Sequence, residues 1–297
     1  MKAWCCALLL LLLLLAAQAG AAITVRDGGD AVVTLAQPAQ RVATLAPHAT
    51  ELVFAAGAGA RIVGASDYSD YPPAAIAIPR IGSNRQIDTE RLVALRPDLL
   101  VVWLGGNAER QLEPLRRLGV PVYQSAPTSL ADIAGEIERL GQLTGTSATA
   151  QPAAAALRAR LAALAARYRD KPPVRVFYQV WEHPLYTLNG RQIVSDAIRL
   201  CGGVNVFADL PALAPTVGVE AVLQENPEVI IRGARAGEQA AGLAMWTKYP
   251  ALLAAKRGNL YTVDSNLMAR AGPRMVDGAE ALCARLEEAR GKRGRYP

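Results

Sequence analysis

The chain has 297 residues, with 32 Lys and Arg against 26 Asp and Glu (net charge +6), 5% aromatic residues and four cysteines. That length accommodates two ordinary lobes. Part of the positive excess sits at the end, in ARGKRGRYP, and nothing there follows the interleaved aromatic and basic pattern of a nucleic-acid surface, so residues 291–297 read as a solvated basic tail.

The first 22 residues read as a cleaved secretory leader. Lys2 supplies the positive start, Ala7–Ala17 is an unbroken Leu/Ala run, and the small residues of AQAGAA place cleavage after Ala19, Ala21 or Ala22. Cys5 and Cys6 precede the apolar run, where a lipid-bearing cysteine would not lie. No later stretch reaches the ~20 uncharged apolar residues of a membrane span, so the expectation is an exported, soluble protein. Export leaves Cys201 and Cys283 in an oxidising compartment. Either they form one disulfide, whose long loop would contribute on the order of 4–5 kcal/mol in the chain-entropy model, or they are two separate buried thiols.

In chain order, RVATLAPHATELVFAAGAG reads as a strand, a loop, an apolar helix and a glycine stop, and IVGAS as a second strand leading into DYSDYPP, Asp67 to Pro73. ERLVALRPDLLVVW (Glu90 to Trp103) is a short helix stopped by proline and followed by a continuous apolar strand, and GVPVYQSA adds another strand. From Pro152 to Arg169 alanine, leucine and arginine dominate until Lys171-Pro172-Pro173, which predicts a helix of about 25–30 Å with Leu157, Leu161 and Leu164 on one face. The order then repeats. VRVFYQVWEHPLYTLNGRQIVSDAIRLCGG matches the first unit with a longer loop, EAVLQENPEVIIRG (Glu220 to Gly233) again has its proline seven residues after the glutamate, and GNLYTVDS supplies a last strand. Two copies of one strand–helix alternation predict an α/β fold of two lobes with mostly parallel sheets, joined by a single long helix. The boundaries follow: residues 23–146, 147–171 as the interlobe helix, and 172–290.

Ligands of open α/β sheets bind beyond the carboxyl ends of the strands. The loops there carry Pro47-His48, Asp67–Pro73, Trp103 with Leu104-Gly105-Gly106-Asn107, Trp181–Tyr186 and Ser265–Arg270. Tyr68, Tyr71, Trp103, Trp181 and Tyr186 thus fall along one rim, where rings offer flat contact area at low entropic cost, although each could instead pack under its own loop. The motifs of nucleotide binding, zinc hydrolysis and nucleophile elbows are absent. His48 and His183 could meet as metal ligands or serve as hydrogen-bonding spacers, and Asp67 with Glu182 could form an acid–base pair at a separation the sequence does not fix. Glu90 and Glu220 open equivalent helices; the helix dipole accounts for either one, and as a matched pair they make a two-point acidic dock for arginines.

At these residues the chain resembles the periplasmic vitamin B12-binding proteins of cobalamin ABC importers, within the wider haem, siderophore and cobalamin binding class. RVATLAPHATELVFAAGAG, DYSDYPP, ERLVALRPDLLVVW, GGNAERQ, the CGG at Cys201 and the RAGPR ending at Arg274 carry the likeness. The resemblance implies a monomeric, periplasmic, non-enzymatic carrier without a cofactor, which takes up a corrinoid between its lobes and delivers it to a membrane permease dimer. It carries corrinoid contact to Tyr68, Trp103, Gly105 and Arg270, with Trp181 and Tyr186 on the loop that supplies an aromatic contact. It also makes Glu90 and Glu220 the docking glutamates and Cys201–Cys283 a disulfide. The chain departs from the family at Asn84 and Ala214, where tryptophans are expected, and at Asn266, where an acidic contact is expected. The alternative within the class is haem, with His48, His183, Tyr68 or Tyr178 as axial ligand, or a ferric siderophore held by Arg85 and Arg270.

Overall fold

The computed structural model describes residues 22–83, 86–106, 109–117, 119–235 and 242–295. The leader up to residue 21, Asn84, Arg85, Asn107 and the last two residues of the tail lie outside the described residues.

Two four-stranded parallel sheets face each other. The first has the order β4-β3-β5-β6, from β3 (Val42–Thr44), β4 (Ile62–Ala65), β5 (Leu99–Trp103) and β6 (Val122–Ser125). The second has the order β10-β7-β11-β12, from β7 (Val174–Gln179), β10 (Gly203–Asn205), β11 (Val229–Ala234) and β12 (Leu260–Asp264). The helix–Pro–strand repeat is realised in space. Helix α2 (Thr89–Ala94) feeds β5 and helix α7 (Val219–Glu225) feeds β11, and both strands hold the third place in their sheets. Four consecutive residues of β5, Leu99 to Val102, are fully buried, as continuous apolar strands covered on both faces must be.

Around the sheets lie α1 (Pro47–Ala55), α3 (Glu109–Arg117), α4 (Leu130–Leu143), α6 (Ile193–Leu200), the short α8 (Leu253–Lys256) and α9 (Ser265–Met268), and the C-terminal α10 (Met275–Lys292). Two small antiparallel ribbons, absent from the sequence reading, complete the fold: β1–β2 (Ile23–Arg26 with Val32–Leu35) and β8–β9 (Trp181–Glu182 with Leu185–Tyr186). Asp27 ties down the first. Its carboxylate accepts from the N–H groups of Gly29 and Ala31 in the turn (2.8 and 2.9 Å) and of Gln124 (3.1 Å).

The joining helix α5 runs from Ser147 to Tyr168, roughly 33 Å. It starts five residues before Pro152, which therefore lies past the first turn, where its missing N–H costs one helical bond. Packing against α4 overrides that cost. A side chain at Gly141 would come within 2.3 Å of Ala150 Cβ, so the bare glycine lets the two helices touch. Ala150, Ala154, Leu157 and Leu161 are buried along one face, with Leu164 partly buried beside them. Arg158 reaches Glu138 of α4 (2.5 Å), while Arg160 reaches Asp277 and Glu280 of α10 (2.6 and 2.8 Å), so the helix is tied to both sides.

The central apolar core is continuous from one sheet to the other through α5, with a separate outer cluster behind each sheet. Cys201, at the end of α6, and Cys283 of α10 form a fully buried disulfide with Cα atoms 4.8 Å apart. No helix among the described residues is long and apolar enough to cross a membrane.

Candidate ligand cleft between the two sheets

A cleft of about 520 Å³ opens between the carboxyl ends of the two sheets. The first lobe lines it from the end of every strand: Pro47 and His48 after β3, Asp67 and Tyr68 after β4, Trp103 at the end of β5 and Pro127 after β6. The second lobe supplies Tyr178 and Val180 at β7, Gln192 to Val194 at the start of α6, Arg235 after β11, and Asn266 and Arg270 after β12.

Tyr68 is 70% exposed at the mouth. Its backbone sits at φ +63°, a conformation that costs a bulky residue about 1–2 kcal/mol and persists only where the surroundings impose it. A buried hydroxyl chain does so. Thr44 and Thr50 share a 2.7 Å hydrogen bond, Thr50 donates to Ser69 (3.0 Å), and Ser66 lies 3.3 Å from Ser69. The N–H of Asp67 donates to the Gly82 carbonyl (2.8 Å) and Arg80 donates to the Ser69 carbonyl (2.9 Å). The tyrosine is thus presented by a rigid loop, with little ordering cost left for binding.

Trp103 is 43% exposed and meets His48 edge-on, with ring centroids 5.8 Å apart and planes at 83°. The loop after it must be glycine for two reasons. Gly105 turns the chain at φ +76°, and a Cβ on Gly106 would fall 1.8 Å from the indole. Below Trp103, His48 is 5% exposed, its Nε2 has no hydrogen-bond partner among the described residues, and burial lowers its pKa to about 4, so the imidazole is neutral at physiological pH. Tyr178 is 5% exposed on the opposite wall, and burial raises the pKa of its phenol, keeping it protonated.

Beside the cleft a charge cluster spans the lobes. The guanidinium of Arg274 donates twice to Glu51 of α1 (3.0 and 2.6 Å) and lies 3.9 Å from the Tyr71 ring centroid. Arg270 donates to Asp70 (2.5 and 3.4 Å) and to Glu51 (3.4 Å), and this hydrogen bond to Arg270 is the main cause that holds the Asp70 carboxyl below the usual range. The second half of DYSDYPP therefore serves the arginines of the other lobe, while Tyr68 serves the cleft. Tyr71, expected on the aromatic rim, is not part of the cleft lining and lies against Arg274 instead, while Glu51 and Asp70 were not foreseen, since each lies 200 or more residues from its partner arginine in sequence.

Of the seven residues expected at the ligand, Tyr68, Trp103, Asn266 and Arg270 line the cleft, and Gly105, Trp181 and Tyr186 do not. Trp181 and Tyr186 face each other across the β8–β9 ribbon, where Trp181 is 54% exposed and donates to the His183 carbonyl (3.1 Å). The ribbon's turn also holds His183, exposed and outside the cleft lining that contains His48. Glu182 pairs with Arg232 (3.3 Å) rather than with Asp67. Ala214 is exposed and outside the lining. Arg235, which the sequence reading passed over, lines the cleft; it directly follows β11, so the strand-end rule could have found it. Glu90 and Glu220 are each the second residue of their helices, both exposed, and neither forms an ion pair with a described residue. Among the described residues no three His, Cys, Asp or Glu side chains cluster as a metal set.

Two facing parallel sheets, a single connecting helix and a cleft at the strand ends define a class of two-lobed binding proteins. The periplasmic binding protein family matches residues 42–267, and the chain belongs to that family. Among its relatives, the vitamin B12-binding protein of Vibrio cholerae serotype O1 is 38% identical over 251 residues, covering 84% of this chain and 90% of the relative. That of Vibrio parahaemolyticus is 37% identical over 258 residues, covering 86% and 93%. The crystal structure of the periplasmic vitamin B12 binding protein of Vibrio cholerae superposes with a TM-score of 0.78 at 38% identity, over 85% of this chain and 98% of that one. A periplasmic heme binding protein from Pseudomonas aeruginosa has a TM-score of 0.71 at 26% identity, over 83% and 92%.

Proposed function

We propose that this protein is exported under the direction of a leader that is then cleaved, captures a corrinoid of the vitamin B12 type in the interlobe cleft, and hands it to the permease of an ABC importer. The observation that carries this reading is the pair of exposed rings, Tyr68 and Trp103, held rigidly at the cleft of a chain 38% identical to a vitamin B12 binding protein over most of its length. The two rings give the flat macrocycle apolar contact area, and Asn266 and Gln192 offer amide groups to its amide periphery. Trp181 and Tyr186, on the ribbon outside the present lining, extend the aromatic rim toward the parts of the ligand that project beyond the cleft. The capture is noncovalent and needs no cofactor. Glu90 and Glu220 supply the two docking points for the permease.

The haem reading has one observation in its favour, the unpartnered Nε2 of His48 beside the cleft. Calorimetric titration of the mature chain with cyanocobalamin, dicyanocobinamide and haemin separates the readings. The expected result is saturable binding of a corrinoid at micromolar protein or below. No heat with either corrinoid overturns the proposal, and binding of haemin alone replaces it with the haem reading.

A further inference from the structure

The charge inventory of the cleft leaves one cation unclaimed among the described residues. Its described lining holds three groups that can be positive, and two are spoken for. His48 is neutral above a pKa of about 4, because burial disfavours its charged form. Arg270 is neutralised by Asp70 and Glu51. Arg235, exposed in the cleft after β11, pairs with no described residue.

An arginine left facing a cleft has a consequence on binding. A large ligand covers the guanidinium and strips its water, which costs free energy unless the ligand brings an anion to the planar fork. Phosphate oxygens match that fork with two parallel hydrogen bonds. A corrinoid presents mostly neutral amides around its ring, but a complete cobalamin also carries one phosphodiester, in the arm that links the ring to its nucleotide base. Cobinamide lacks that arm.

We propose that Arg235 reads the anionic arm of the ligand, selecting corrinoids that carry the nucleotide phosphodiester over those that lack it. This rests on the corrinoid reading above. Arg270 is less suited to this role, because its two terminal nitrogens already donate to two carboxylates of the first lobe, which offset its charge. Among the described residues the remaining charged group of the lining, Asp67, has the wrong sign and lies on the opposite lobe.

The test compares wild type with Arg235→Gln by calorimetry against cyanocobalamin and dicyanocobinamide, at low and high salt. Loss of a charge-assisted hydrogen bond predicts that the variant binds cyanocobalamin roughly ten- to a hundred-fold more weakly and dicyanocobinamide within about twofold of wild type. The wild-type preference for cyanocobalamin should shrink at high salt. An unchanged melting temperature confirms that the exposed substitution leaves the fold intact. Equal losses for both corrinoids overturn the assignment and make Arg235 a lobe-closing cation, with Asp67 as its partner; no loss for either also overturns it. If wild type binds neither corrinoid, the functional reading fails separately. The anion-reading role then stands or falls with haemin against its dimethyl ester, where only a selective loss of haemin in the variant sustains it.

Discussion

His48 shows how a single buried side chain makes stability depend on pH. Nothing compensates its Nε2, so the native state holds the imidazole neutral, with a pKa near 4 against 6.5 when unfolded. Between those values the unfolded chain takes up a proton that the native state refuses, so stability falls as pH drops from about 6.5 toward 4. The difference amounts to about 3 kcal/mol. Urea titrations at pH 7 and pH 4.5 should show that loss in wild type, and His48→Leu should flatten the difference; an unchanged pH slope would mean that His48 is not held neutral. At the same scale, Tyr68 and Tyr71 look alike in sequence, yet one φ of +63° sends the first to the cleft while the second lies under Arg274. Sequence marked the loop as important, but the backbone reversal that divides its labour depends on the buried hydroxyl chain, which no local pattern reveals.

Among elements, a charged cross-lobe tie runs from α1 to the segment between β12 and α10. Glu51 is 3% exposed and takes hydrogen bonds from both Arg270 and Arg274. Removing one member of such a buried pair strands the others, so Glu51→Ala should lower unfolding free energy by about 3 kcal/mol. Asp70, with its side chain 56% exposed, should cost under about 1 kcal/mol on replacement by Asn. Denaturant midpoints of the two variants check the contrast, and equal effects would deny Glu51 its special place. The sheet strands other than the three-residue β10, the joining helix and the paired helix–Pro–strand units were legible because each is written in a contiguous apolar period. The ribbons β1–β2 and β8–β9 were not, since two- to four-residue pairings leave no period to read. This cross-lobe tie was equally hidden, because complementary charges 200 or more residues apart carry no local signature.

For the molecule as a whole, the repeat places one exposed glutamate at a matching position on each lobe. β5 and β11 hold the same place in their sheets, so Glu90 and Glu220 begin equivalent helices on the two lobes. Reversing both to lysine should leave corrinoid affinity within about twofold, since neither lines the cleft, while uptake into cells lacking the native protein falls to background. Uptake that persists in the double variant would assign docking elsewhere. The central core bears on the same question, because it passes without a break from one lobe through α5 to the other. The halves therefore share one interior, and a wide swing of two bodies would have to break that packing. A change of side-chain volume along that seam is therefore felt in both halves, because a close-packed interior passes it on to every residue that lines it.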